Sequence, residues 1–423
     1  MESQSDVSRI VARGVLGEFS YDVAFGDGPN RMRVIYAPNG RGKTNFLRAV
    51  NLALNPALDS LQALIEIPIA QLEINFSSGA TLEISRRDAF SPTYSSTANP
   101  PPNTDSVGAT ITVEPADFAG RLYRRVWDER DEYAHYHQLV SSFSGGSSLM
   151  GDDRLANSDE KDAPSRSLPP GSDRRRPVNS TVSRLLDRVE RLLTHGALSS
   201  LSRERQTSGV YVDITRTTLH GSQRISSSKA RADLEDRISN LLAAGRGQES
   251  YGLISLRQVR DIGGQLDSVR ANDKNLPTLH KILAPYLDSL EDQVQTLEPT
   301  YELINTFVTA VNDFLDRKEL TFSTGRGIEL RGRDGTRLQP ESLSSGERHL
   351  LLLLSVAILA TEDRSLVIID EPELSLGIEW QRKLLRQLLQ CSSSANVQFL
   401  IASHSVQVMG ELDGAEIIQP GEE

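Results

Sequence analysis

Cysteine occurs once in the 423 residues, at Cys391. No disulfide can form within one chain, no CxxC-type zinc site exists, and a reducing, cytoplasmic location is the expectation. Long apolar runs are also missing. The longest, Leu350 to Leu354 and Leu366 to Ile369, fall far short of the ~20 residues of a membrane span, and the opening MESQSDVSRI lacks the basic-then-apolar order of a secretory leader. Neither secretion nor a membrane partner is predicted. Lysine is scarce, standing only at positions 43, 161, 229, 274, 281, 318 and 383 among 46 basic residues, so a lysine inside a glycine-rich loop is conspicuous. The net charge of −11 argues against a general affinity for nucleic acid but leaves a local basic patch open. No fixed-period repeat and no sustained heptad run occurs, which excludes a solenoid and a long coiled coil.

What is present has the 38% hydrophobic and 24% charged make-up of a globular protein, with length enough for two or three domains. Residues 9–36 read as short strands, followed by a glycine-rich loop and an amphipathic helix that Pro56 stops. Residues 67–86 alternate as a hairpin, residues 88–112 read as a loop, and 115–140 have helical periodicity. Residues 141–180 lose nearly all apolar content and read as a mobile linker. Helical patterns return at 181–195, 229–244 and 276–317, the last punctuated by Pro285 and Pro299. A hairpin signal at Arg333-Asp334-Gly335 then opens an alternation of helices and strands, the pattern of a parallel sheet covered on both faces.

Four motifs carry chemistry. Ala37-Pro38-Asn39-Gly40-Arg41-Gly42-Lys43-Thr44 lies between a strand and a helix and fits GxxxxGK[ST], with Ala37 in place of the first glycine. Such a loop turns backbone N–H groups toward a phosphate, with Lys43 reaching the β and γ phosphates and the Thr44 hydroxyl ligating Mg²⁺. The apolar strand Leu366 to Ile369 ends in Asp370-Glu371-Pro372-Glu373. Asp370 is the candidate to hold Mg²⁺ through water, and Glu371 to polarise the water that attacks the γ-phosphate. Leu343-Ser344-Ser345-Gly346-Glu347-Arg348 opens a leucine-rich helix; Ser344 and Glu347 fit a capping box, and the same turn fits an anion site. His404 follows the strand Val397 to Ala402, which is expected to neighbour the Asp370 strand, within reach of a γ-phosphate or the attacking water.

In this order the motifs resemble ABC-type ATPases, in the soluble branch that contains the SMC, RecF-like and overcoming-lysogenization-defect ATPases. The resemblance covers roughly residues 9–85 and 320–420. It implies that Pro38 to Thr44 is the Walker A loop, that Asp370 and Glu371 form Walker B with its catalytic glutamate, and that His404 is the switch histidine. Leu343 to Glu347 would be an LSGGQ-like signature whose Ser344, Ser345 and Gly346 complete the site of a second subunit, and Leu374-Ser375-Leu376 would lie in the D-loop. The run EPELSLGIEWQ is similar to EPELSLHP-x-x-Q of the overcoming-lysogenization-defect group, with Gly377 and Ile378 where that run has His-Pro.

The resulting expectation is an α/β ABC-type P-loop ATPase head with a mainly helical insertion. Residues 1–114 would be the N-terminal lobe, 115–319 the insertion with its linker at about 141–180, and 320–423 the C-terminal lobe. ATP and Mg²⁺ are the implied cofactors, and an ATP-dependent homodimer, or a higher oligomer, the implied assembly. No acidic TOPRIM nuclease domain follows the last strand, so an effector such as a nuclease or toxin would be a separate polypeptide, in prokaryotic antiviral defence. The alternative is a RecF-like DNA repair ATPase that binds DNA and is stimulated by it. A non-catalytic scaffold is disfavoured by the intact Lys43, Asp370, Glu371 and His404. For a Q-loop glutamine, Gln71 and Gln138 are candidates. Glu132 and His135 have a di-metal spacing without the second copy it requires, and His137 diverges from His135 on a helix. Arg174 to Arg176, and Arg184, Arg188 and Arg191 on one helical face, fit phosphate contacts, although Asp187 and Glu190 fit ordinary helix-surface pairing.

Overall fold

The computed structural model describes residues 5–26, 31–102, 104, 106–115, 131–151, 181–204, 225–270, 273–363, 366–393, 397–410 and 417–422. The protein is α/β, and its chain divides into two compact units, Met1–Leu185 with Leu343–Glu423, and Leu186–Ser342. The sequence reading instead divides the chain at 114/115 and 319/320.

The strands of the first unit are β1 (Val7–Val15), β2 (Phe19–Ala24), β3 (Met32–Tyr36), β4 (Gln71–Phe76), β5 (Thr81–Ser85), β6 (Tyr94–Asn99), β7 (Ala109–Val113) and β8 (Ser147–Met150), continued after the second unit by β12 (Leu366–Asp370), β13 (Gln398–Ser403), β14 (Ile417–Ile418) and β15 (Gly421–Glu422). They form two sheets with different sequence logic. One has the order β15-β2-β1-β4-β5-β6-β7, and its strands pair antiparallel. Its strands alternate buried and accessible residues, as Leu72, Ile74 and Phe76 do in β4, because only one face meets the core. The other has the order β14-β3-β13-β12-β8, paired parallel throughout. Every residue of β12 and β13 is buried, as expected of a sheet covered on both faces. The Lys43–Leu54 helix packs on β8, β12 and β13, and its Phe46, Leu47 and Val50 join the core that the antiparallel sheet closes. The Ser345–Asp363 helix packs on β12 and on the Ile378–Cys391 helix.

The second unit joins the Ser227–Ser250, Arg257–Asp267 and Leu276–Asn312 helices to a three-stranded antiparallel sheet, β11-β10-β9, made of β9 (Lys318–Ser323), β10 (Gly327–Gly332) and β11 (Arg337–Leu338). Pro285 and Pro299 lie inside one continuous helix rather than dividing it. One turn before Pro299, the Val294 carbonyl accepts a hydrogen bond from the fully buried Gln248 side chain (2.8 Å).

Two readings of low-apolar sequence are corrected. Residues 88–112 contain the hairpin β6/β7, not only a loop. Its inward positions are Tyr94, Ser96 and Ala98; the buried Ser96 hydroxyl is satisfied by the Tyr136 hydroxyl (2.7 Å), so serine there is compatible with a strand. Residues 141–150, read as linker, contain the end of the Asp131–Phe143 helix and β8, an edge strand whose residues are mostly half-exposed. Residues 152–180 of that linker, Arg174 to Arg176 included, lie outside the described residues.

Candidate active site

In a parallel sheet all strands deliver their C-terminal ends to one edge, where ligands bind. Here β13 sits between β3 and β12, with Tyr36 opposite Ser403 and Ala402 opposite Asp370. Three loops, after β3, β12 and β13, are thereby gathered from distant parts of the sequence.

The first loop runs from Ala37 to the Lys43–Leu54 helix. Gly40 (φ 86°) and Gly42 (φ 79°) hold left-handed conformations that glycine adopts without strain. A side chain at 42 would also strike Val15, 2.7 Å from the position of its Cβ. The loop is braced from β2. The Tyr21 hydroxyl donates to the Arg41 carbonyl (2.6 Å), its ring stacks on Phe46 (4.5 Å), and burial pushes its phenol up to about 12. The Arg41 guanidinium lies 5.0 Å above the Phe19 ring and pairs with Glu422. Lys43 is 6% exposed, and its ammonium donates to the Ala37 carbonyl (2.6 Å) and more weakly to that of Pro38 (3.4 Å). The first amides of the helix have no intrahelical acceptor, and no side chain caps them at Gly42.

At the second loop the Thr44 hydroxyl donates to Asp370 Oδ2 (2.6 Å), joining the ends of β3 and β12. The two oxygen donors that the sequence assigns to Mg²⁺ are thus in contact, a donor set suited to a hard cation. Glu371 then turns the chain with a positive φ (52°), unusual for a non-glycine residue and a form of local strain typical of functional loops. Its N–H remains anchored to the Ala402 carbonyl (2.8 Å). The Glu371 carboxylate lies 3.7 Å from the Lys43 ammonium and is hydrogen-bonded to Nδ1 of His404 in the third loop. Burial, then the negative charge of Glu373, raise the Glu371 carboxyl above the ordinary carboxylate range; His404 and Lys43 act in the opposite direction. Glu371, Glu373 and His404 place their ligand atoms within 4.8 Å of one another, but hydrogen bonds among themselves and to nearby amides already engage them.

The signature-like turn opens the helix that rests on the segment after β12. The capping box forms as a reciprocal pair: Ser344 N–H donates to the Glu347 carboxylate (2.7 Å) and Glu347 N–H to the Ser344 hydroxyl (3.3 Å). Ser344 and Ser345 are exposed. Gly346 is buried, and a Cβ there would lie 2.8 Å from the Ser375 carbonyl and 3.3 Å from the Trp380 ring, so glycine lets the helix end rest on the loop after β12. One turn on, buried His349 meets the Pro372 carbonyl (3.1 Å).

The structure therefore brings Lys43, Thr44, Asp370, Glu371 and His404 into one connected set and rests Gly346, next to the exposed Ser344 and Ser345, on the segment that follows it. Pro38 and Asn39 are exposed at the loop tip. Of the other candidates, Gln71 lies in the antiparallel sheet and bonds Glu83 (3.4 Å), and Gln138 is exposed on the Asp131–Phe143 helix. Glu132 and His137 are exposed, and His135 meets the Val107 carbonyl (3.1 Å). Arg184 and Arg191 are exposed, whereas Glu190 accepts from Ile328 N–H (2.9 Å) within the second unit. Sequence reasoning missed Glu373, Gln381 and Tyr21. The first two stand in the quoted EPELSLGIEWQ run; nothing local marks Tyr21.

Residues 217–410 match the family described as "AAA domain, putative AbiEii toxin, Type IV TA system". That stretch is just under half of the chain and contains Ser344 to Gly346, Asp370, Glu371 and His404; it supports an ATPase domain of that type. No curated protein matches the chain. Among solved structures it is similar to the SMC head domain with an extended coiled coil bound to the C-terminal domain of ScpA, from Pyrococcus furiosus, at 12% identity and TM-score 0.41, over 99% of this chain and 96% of that one. The SMC head domain of Thermotoga maritima gives 11% identity and TM-score 0.35, over 99% and 98%.

Proposed function

We propose that the protein is an ABC-type P-loop ATPase that binds and hydrolyses Mg-ATP, closes as a homodimer on ATP and controls a separate effector, such as a nuclease or toxin, in antiviral defence. The observation that carries the enzymatic part is the contact set at one sheet edge: Lys43 beside Glu371, Thr44 on Asp370 and Glu371 on His404. Lys43 exchanges its carbonyl partners for phosphate oxygens, and the helix amides after Gly42 take the remaining charge. Thr44 and Asp370 are the residues that would hold Mg²⁺, which when bound neutralises phosphate charge. Glu371 orients the attacking water and accepts its proton, the raised carboxyl making it a better base than an ordinary glutamate. His404 holds the Glu371 carboxylate in place and, half exposed, offers its ring toward the γ-phosphate. The exposed Ser344 and Ser345 suit a role on the nucleotide of a second copy. ATP would then bind the closed pair in preference to separate heads, and hydrolysis would release it.

The effector and the defence role rest on the family match of residues 217–410 and on the EPELSLGIEWQ run. Phosphate release by the purified chain with ATP and Mg²⁺, with and without duplex DNA, tests the enzymatic part. Turnover independent of DNA is expected; DNA-stimulated turnover would favour the RecF-like reading, and none would sink both. Affinity purification of the Glu371→Gln variant in ATP, with and without nuclease treatment, tests the effector. A stoichiometric protein that survives nuclease treatment is the expected result.

A further inference from the structure

Glu373 is 5% exposed, an unusual place for a carboxylate, and it has no lysine or arginine partner among the hydrogen bonds and ion pairs of the described residues. What it has is a turn of backbone. Its Oε1 accepts from the Ser403 hydroxyl (2.6 Å), from His404 N–H (3.0 Å) and from Ser405 N–H (3.0 Å). Two consecutive amides and a hydroxyl converging on one oxygen make an anion nest, with the anion supplied by the chain itself. A second tie lies alongside. The Gln381 amide donates to the Leu376 carbonyl (2.9 Å), while its oxygen accepts from the Ser405 hydroxyl (2.8 Å).

The His404 ring is 49% exposed, so packing alone does not fix it; it is held by where residues 403–405 are anchored and by its Nδ1, bonded to Glu371 and 3.5 Å from Glu373 Oε1. The site thus has two acids with different tasks. We propose that Glu373, assisted by Gln381, is a positioning residue that clamps the 403–405 turn so that the His404 ring meets Glu371. This inference rests on the ATPase reading for its effect on turnover, but the clamp itself can be observed without turnover.

The test compares Glu373→Ala, which removes the acceptor, with Glu373→Gln, which keeps an acceptor oxygen and loses the charge. In Glu373→Ala, affinity for a fluorescent ATP analogue should stay within about three-fold of wild type, while kcat falls about ten-fold or more, less than the roughly 100-fold or greater loss expected when the acid–base group itself is removed, because Glu373 only positions one. Glu373→Gln should recover most of that kcat. Because Glu373 acts through His404, adding His404→Ala to Glu373→Ala should lower kcat little further. Amide hydrogen exchange should quicken at 403–405 in Glu373→Ala and return to the wild-type rate in Glu373→Gln. If Glu373→Ala does not fold, Glu373→Asp, charged but one methylene short of the turn, replaces it with the same expectations. Unchanged kcat in the variant lacking the clamp, no rescue by glutamine, or kcat losses that multiply in the double variant would overturn the inference. Should wild type show no turnover, the ATPase reading fails, and exchange at 403–405 alone decides: quickened supports the clamp, unchanged refutes it.

Discussion

Charged groups in the Leu186–Ser342 unit and those at the parallel sheet edge are arranged by opposite rules. In the helical unit several charges meet their complements. Arg237 forks onto Glu291 and reaches Asp288, which raises its already high pKa, and His280 pairs with Asp233 (2.8 Å). At the sheet edge like charges are crowded as well: beside Lys43 and His404, Glu371 and Glu373 lie close enough that one raises the other, on a backbone turn with positive φ. The first arrangement stabilises a fold. The second costs stability and persists where a carboxylate must serve a reaction.

The largest expected effect breaks that contrast at its centre. Glu371→Gln should lower turnover by about 100-fold or more while nucleotide still binds, as for loss of a general base, measured by phosphate release against ATP retained on the protein. Lys43→Ala removes the phosphate cation, and nucleotide affinity should fall about 100-fold by equilibrium titration, the scale of one or two charge-assisted hydrogen bonds. Gly42→Ala forces an alanine into φ 79° against Val15, and should destabilise the loop by ~1–2 kcal/mol, seen as a lower Tm and weaker nucleotide binding together.

In the helical unit the outcome should reverse. Arg237→Ala should cost only ~1 kcal/mol, since its partners are partly exposed, and lower Tm by a few degrees while turnover stays within about two-fold of wild type. A loss of turnover there would erase the distinction between the two regions. The smallest signal is expected from Cys391, whose thiol burial pushes up to about 12; it should stay unreactive to a thiol reagent at pH 8 until denaturant is added.

How much of this was legible follows from where each signal is stored. The glycine loop, the acid pair after β12 and the histidine after β13 are short linear motifs, and continuous apolar runs announced the strands that carry them. The β6/β7 hairpin was not legible, because Ser96 owes its burial to Tyr136, 40 residues away. Strand β8 is a four-residue edge with apolar side chains only at Leu149 and Met150, and its pairing with β12 makes it a strand. The Arg257–Asp267 helix escaped notice because it buries only Val259 and Leu266 and contains Gly263 and Gly264. Glu373 was visible as a letter but not as a function, since its partners arrive from β13 only after folding.

Whether Glu371 activates the attacking water is decided by parallel phosphate release and bound-nucleotide measurement on wild type and Glu371→Gln, both with ATP and Mg²⁺. Wild type should make multiple turnovers, and the variant should hold bound ATP with almost no phosphate released. Equal rates for the two proteins would contradict that role, because the water would then be activated elsewhere than at the end of β12.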